Sequence, residues 1–103
     1  MPTPAQSIYL HIGETEHFLF TDTDSFEGHE VHYKIGRRIS PSEYEEVLDW
    51  EFAVDGDEAE AYIEIDPEIF SPGRYESQLV VTEIASGRVN ITDGPMWVIQ
   101  PSV

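Results

Sequence analysis

Phe70-Ser71-Pro72-Gly73-Arg74-Tyr75 is the stretch on which the fold of this chain turns. Pro72 presets one turn dihedral, and Gly73 tolerates the positive φ that a tight reversal needs. Tyr75, two residues on, is then placed to bury its ring while its hydroxyl bonds back to the backbone. A large apolar residue, a turn glycine and a tyrosine in this order predict a tyrosine corner, where a chain crosses from one β-sheet to another. Phe70, Gly73 and Tyr75 are therefore assigned to the fold and not to chemistry.

Outward from this corner the apolar period is two, the strand period. Strands are predicted at Ile8 to Ile12, Glu16 to Thr21, Glu30 to Arg37, Val47 to Val54, Ala59 to Ile65, Tyr75 to Ile84, Arg88 to Thr92 and Met96 to Gln100. Alternation is cleanest in Val31, Tyr33, Ile35 and in Leu48, Trp50, Phe52, Val54, which gives each of those strands one wet face. Gly13, Asp55-Gly56-Asp57, Ser86-Gly87 and Asp93-Gly94-Pro95 punctuate the runs, and Ser86-Gly87 is short enough to close a hairpin. Ser40 to Glu46 alone reads as a helical turn, with Ser42 as its cap and Glu45 three residues on. The expectation is an all-β chain: a single immunoglobulin-like antiparallel β-sandwich of about seven to eight strands. Residues 1–103 would form one domain with short proline-containing terminal arms.

Charge sets the solvent. The chain holds 21 Asp and Glu against 5 Lys and Arg, a formal net charge of -16 in which Lys34 is the only lysine. Such a charge repels itself unless salt screens it, and the Debye length falls from about 30 Å at 0.01 M to about 3 Å at 1 M. Nucleic-acid binding is disfavoured, because Lys34, Arg37, Arg38, Arg74 and Arg88 form no basic patch. With 40% apolar and 12% aromatic residues, the chain can nonetheless bury a core. No cysteine is present, so packing, alone or with partners, must hold it. Met1-Pro2-Thr3-Pro4 lacks the basic start of a secretory signal, and no apolar run is long enough for a membrane helix. The expected location is the cytoplasm in which it is made, or a particle assembled there.

The residue pattern argues against catalysis. There is neither a cysteine nor a glycine-flanked serine of the nucleophile-elbow kind, and Glu64, Asp66 and Glu68 are no better a carboxylate pair than many others here. His29 and His32, beside Glu27 and Glu30, are three apart, so a strand points them to opposite faces and zinc is not expected. Asp22-Thr23-Asp24 and Asp55-Gly56-Asp57-Glu58 gather carboxylates in loops. The first departs from an EF-hand at Phe26 and Glu27, and the second is too short. Asn90-Ile91-Thr92 fits a glycosylation sequon but reads as strand. No catalytic residue, metal or cofactor is expected. The candidates for meeting a partner are aromatic: Trp97 in the continuous run Met96-Trp97-Val98-Ile99, Tyr62 beside Ile63, and Phe70, with burial in the core as the competing fate of each.

Two resemblances extend this reading. The acidic, lysine-poor composition with a full apolar complement is similar to that of proteins from salt-in haloarchaea and their viruses. From about Ile8 onward the chain also resembles the small immunoglobulin-like proteins of tailed viruses, including the N-terminal domain of siphophage upper baseplate proteins. The strand Gly13 to Thr21, the strand Gly28 to Ile35 and the stretch Ile65-Asp66-Pro67-Glu68-Ile69-Phe70-Ser71-Pro72-Gly73-Arg74-Tyr75 to Thr82 carry the match. Ser86-Gly87-Arg88-Val89 and the last strand through Ile99 complete it.

That resemblance implies a virion component made in the host cytoplasm. Its partners would be other virion proteins, as a homo-oligomer or in repeated copies in a tail, baseplate, neck or capsid coat, without nucleic acid or membrane. The baseplate proteins continue beyond their sandwich, so a small adaptor or decoration protein fits these residues better. Two rivals stand beside it: an acidic DNA mimic that inhibits a DNA-binding protein, and a host-surface or glycan-binding module.

Overall fold

A computed structural model describes residues 6–22 and 24–101; the arm Met1–Ala5, Thr23 and Ser102-Val103 lie outside the described residues. The described residues form nine strands: β1 (Ser7–His11), β2 (Thr15–Thr21), β3 (His29–Ser40), β4 (Glu43–Glu51), β5 (Ala53–Asp55), β6 (Glu58–Glu64), β7 (Gly73–Glu83), β8 (Val89–Asp93) and β9 (Met96–Gln100). The larger sheet runs β1-β9-β7-β3-β4, with β8 on the other half of β7, and the smaller runs β2-β6-β5. The two pack face to face as an all-β sandwich. β1 lies parallel to β9 and every other pairing is antiparallel. The chain's first and last strands, β1 and β9, lie side by side at one margin of the larger sheet, and β4 forms the other.

Alternation explains which residues meet between the sheets. Val31, Tyr33 and Ile35 of β3 are fully buried while Glu30, His32 and Lys34 face away. Small side chains on β6 make room for large ones on β2, with Ala59 opposite Phe20 and Ala61 opposite Phe18. Phe18 stacks on Trp97 with ring centroids 5.3 Å apart, and Phe20 and Phe52 pack against the Tyr33 ring. Burial raises the Tyr33 pKa, against the pull of the Ser77 hydroxyl and the Trp97 indole.

The tyrosine corner forms as the sequence predicts. The Tyr75 hydroxyl donates to the Ser71 carbonyl at 3.1 Å and accepts from the Ser71 N–H at 3.0 Å, while the Phe70 ring meets Tyr75 edge-on at 5.3 Å. Gly73, at φ 149°, makes the reversal between them. The Ser86-Gly87 hairpin forms too, closed by the Glu83 N–H on the Arg88 carbonyl at 2.8 Å.

Two boundaries differ from expectation. Ser40 to Glu46 holds no helical turn: Ser40 pairs with Glu43, and Tyr44 and Glu45 continue the ladder opposite Arg38 and Arg37. Pairing with a full-length β3 satisfies more backbone than one isolated turn would. The Tyr44 ring fits because Gly36 has no side chain there, and the Arg38 guanidinium covers it at 5.7 Å. Burial, then the Glu76 and Glu46 carboxylates, push the Tyr44 pKa up, opposed by Arg38.

Val47 to Val54 is likewise two strands. The chain leaves the larger sheet after Glu51 and enters the smaller one at Ala53, so Trp50 and Phe52 do not share one strand face. Phe52 is the pivot; its N–H bonds the Val31 carbonyl at 2.8 Å and its ring enters the core, while Trp50 stays half exposed on edge strand β4.

Candidate interaction surface

β8 is exposed along its whole length and turns its apolar residues away from the core. Its register on β7 sets Ile91 opposite Val80 and Val89 opposite Thr82, whereas Asn90 faces Val81 and Thr92 faces Leu79. Leu79 and Val81 pack against the core, so directly opposed Asn90 and Thr92 point between the sheets and Val89 and Ile91 point to solvent. Val89 is 53% exposed, Ile91 57%, and Ile84 in the adjoining turn 64%. Asn90 and Thr92 remain exposed all the same, because the sandwich is open there: a cleft of about 490 Å³ runs between β2 and β8, lined by Phe20, Leu79, Val81, Val89, Asn90 and Thr92 among others.

β8 is also an edge. Among the described residues it pairs only with β7, because β1 covers β9 and stops short of it. The Arg88 carbonyl accepts from Glu83 and the Gly94 N–H donates to the Ser77 carbonyl at 2.9 Å, so even-numbered backbone groups face β7. The N–H and C=O of Val89, Ile91 and Asp93 therefore point off the sheet. Natural sheets protect such edges with charge or proline, and this one presents Val-Asn-Ile-Thr-Asp, with its one charge at the end. The opposite edge, β4, carries Glu43, Glu45, Glu46, Asp49 and Glu51.

The outer face of the smaller sheet is of another kind. Glu58, Glu60 and Glu64 of β6 point outward with Tyr62, and Asp55 of β5 lies opposite Glu58. β2, β5 and β6 contain no Lys or Arg. His17 stacks on the Tyr62 ring at 4.6 Å and bonds the Glu60 carboxylate at 2.7 Å.

The aromatic candidates separate on this geometry. Tyr62 is 62% exposed on the acidic face and is available to a partner. Trp97 and Phe70 are fully buried, so both are corrected to core: alternate residues of β9 turn inward, which puts Trp97 and Ile99 in the core and leaves Met96 and Val98 half covered outside. Phe70 fills the tyrosine corner. The sequence shows Val89 and Ile91 alternating with Asn90 and Thr92, which marks a strand but does not say which of its faces looks inward.

The loop and histidine candidates take local roles. His32 bonds Asp49 at 2.6 Å, while His29 lies 3.9 Å from Glu83. The Asp22 carboxylate accepts the Asp24 N–H at 2.9 Å, a turn contact. Among the described residues no three His, Asp or Glu side chains converge on a metal position.

No protein-family model matches the sequence, and no curated protein matches it. The fold is similar to that in a 1.4 Å crystal structure of an uncharacterized protein from Bacillus anthracis str. Ames, with a TM-score of 0.62 over 93% of this chain and 84% of that one. At 14% identity, the likeness extends to the fold alone.

Proposed function

We propose that this chain is a non-catalytic structural subunit of a tailed-virus particle, a tail, baseplate, neck or capsid-coat component that works through protein contacts in concentrated salt. Strand β8 carries the reading, since outward apolar residues on an edge that is unpaired among the described residues are a liability in a free monomer and an asset in an assembly. Salt that screens the net charge of -16 also strengthens apolar contact, so the medium that stabilises this fold favours its association. The resemblance to small immunoglobulin-like virion proteins supplies the kind of assembly. Sedimentation of particles from cells that make the chain, in molar salt, tests this. Repeated copies co-sedimenting with a particle are expected, and recovery only among free proteins overturns it.

A second reading rests on the smaller sheet, whose outer face bears carboxylates and no cation. It would present an acidic DNA mimic to a DNA-binding protein. Displacement of duplex DNA from a basic DNA-binding protein by the chain, lost in Glu58→Gln/Glu60→Gln/Glu64→Gln, would favour this reading over the first.

A further inference from the structure

We infer that β8 is the seam between two copies of this chain, joined edge to edge about a two-fold axis with Ile91 opposite Ile91 of the second copy. The inference rests on the assembly reading and names its first contact.

Three observations converge on a second copy. The outward backbone groups of Val89, Ile91 and Asp93 form a self-complementary edge: in an antiparallel pair centred on Ile91, Val89 of one copy exchanges hydrogen bonds with Asp93 of the other, and all five residues pair. This register also sets Asn90 opposite Thr92, an amide against a hydroxyl, on the inner face, and joins Ile91 to Ile91 on the outer face.

Charge selects the same arrangement. Two chains of net charge -16 must meet where carboxylates are sparse, which closes β4 with its five acids and leaves β1 and β8 as the lightly charged edges of the larger sheet; of these, β8 is the one that carries complementary charges at its two ends. β8 has Arg88 flanking one end and Asp93 at the other, so antiparallel pairing brings the cation of one copy to the carboxylate end of its neighbour. Parallel pairing would set Arg88 beside Arg88.

The test is light scattering coupled to size exclusion on the full chain in molar KCl, with a cysteine crosslink as the register probe. A mass twice that of the chain is expected. Because the chain has no cysteine, Ile91→Cys under mild oxidation should give a covalent dimer at least tenfold faster than Tyr62→Cys on the other sheet. Ile91→Pro removes an N–H that points off the sheet and leaves the β7 ladder whole, so it should be folded by circular dichroism and monomeric.

A wild-type monomer at all salt concentrations overturns the inference, as does a dimer indifferent to Ile91→Pro. So does a dimer that appears only when Met1–Ala5 are deleted, which would make that segment the occupant of the edge. Particle sedimentation judges the assembly reading separately. A monomer found in repeated copies in particles, and excluded from them by Val89→Lys, would sink the two-fold seam and keep that reading.

Discussion

The indole N–H of Trp97 donates to the hydroxyl of Tyr33 at 3.0 Å, tying β9 to β3 across the intervening β7 in the centre of the core. Each residue supplies what the other needs, because a buried indole requires an acceptor and a buried phenol requires a partner. Tyr33→Phe keeps the ring packing and orphans the indole. A loss of about 1 to 3 kcal/mol in urea unfolding at molar KCl is expected.

The same hydroxyl sets an alkaline limit. Its pKa is raised by burial, so its contribution is complete below the ordinary tyrosine value of about 10 and fades as pH climbs through the raised one. Wild type should lose stability above pH of about 10 more steeply than Tyr33→Phe, the gap between them narrowing with pH. Parallel unfolding curves from pH 9 to 11 would contradict this.

Tyr75→Phe isolates the corner. It removes one hydroxyl that serves both the N–H and the carbonyl of Ser71, and leaves the contact with Phe70. The expected cost is about 1 to 2 kcal/mol, as the Ser71 groups are partly open to water. No change in the unfolding midpoint would mean that turn dihedrals at Pro72 and Gly73 hold the corner unaided.

Gly36 is fixed by its neighbour across the ladder. An added Cβ would collide with the hydroxyl end of the Tyr44 ring and lie 2.7 Å from the Glu45 carbonyl oxygen, so Gly36→Ala should cost about 1 to 3 kcal/mol. Gly36→Ala in a Tyr44→Ala background should cost less, by the share that the ring causes, and keep the share owed to the Glu45 carbonyl. Additive losses would place the strain in the backbone.

Glu58 tests the electrostatic account. It lies opposite Asp55 and two residues from Glu60, a spacing of about 7 Å at which unscreened carboxylates repel by about 0.6 kcal/mol in water. Glu58→Gln should therefore raise stability at low ionic strength, by about 1 kcal/mol with both neighbours counted, and change little at molar KCl. An equal gain at both salts would point to packing.

Strand alternation and turn chemistry are local, and they made most of this fold legible in the sequence. The corner at Phe70 to Tyr75 and the turn at Ser86-Gly87 each follow from residues a few positions apart. What escaped depends on partners far along the chain. Ser40 to Glu46 becomes strand because β3 is there to receive it, and Val47 to Val54 divides because Phe52 is drawn between sheets. Trp97 and Tyr62 are both aromatic residues beside isoleucine or valine, and only the sheet's position decides which is core and which is surface. β8 shows the limit most clearly: its period was readable, but which of its faces looks inward is set by its register on β7.

The parallel pairing of β1 with β9 has a mechanical consequence. Ser7 lies beside Met96 and His11 beside Gln100, so the chain enters at one end of this pair and leaves at the other. Tension applied through the two ends pulls β1 and β9 past each other lengthwise and loads their rungs together instead of peeling them singly. Forced rupture, whose rate follows the unfolding barrier, would then meet its main resistance in a short parallel seam, well away from the edge that β8 leaves open.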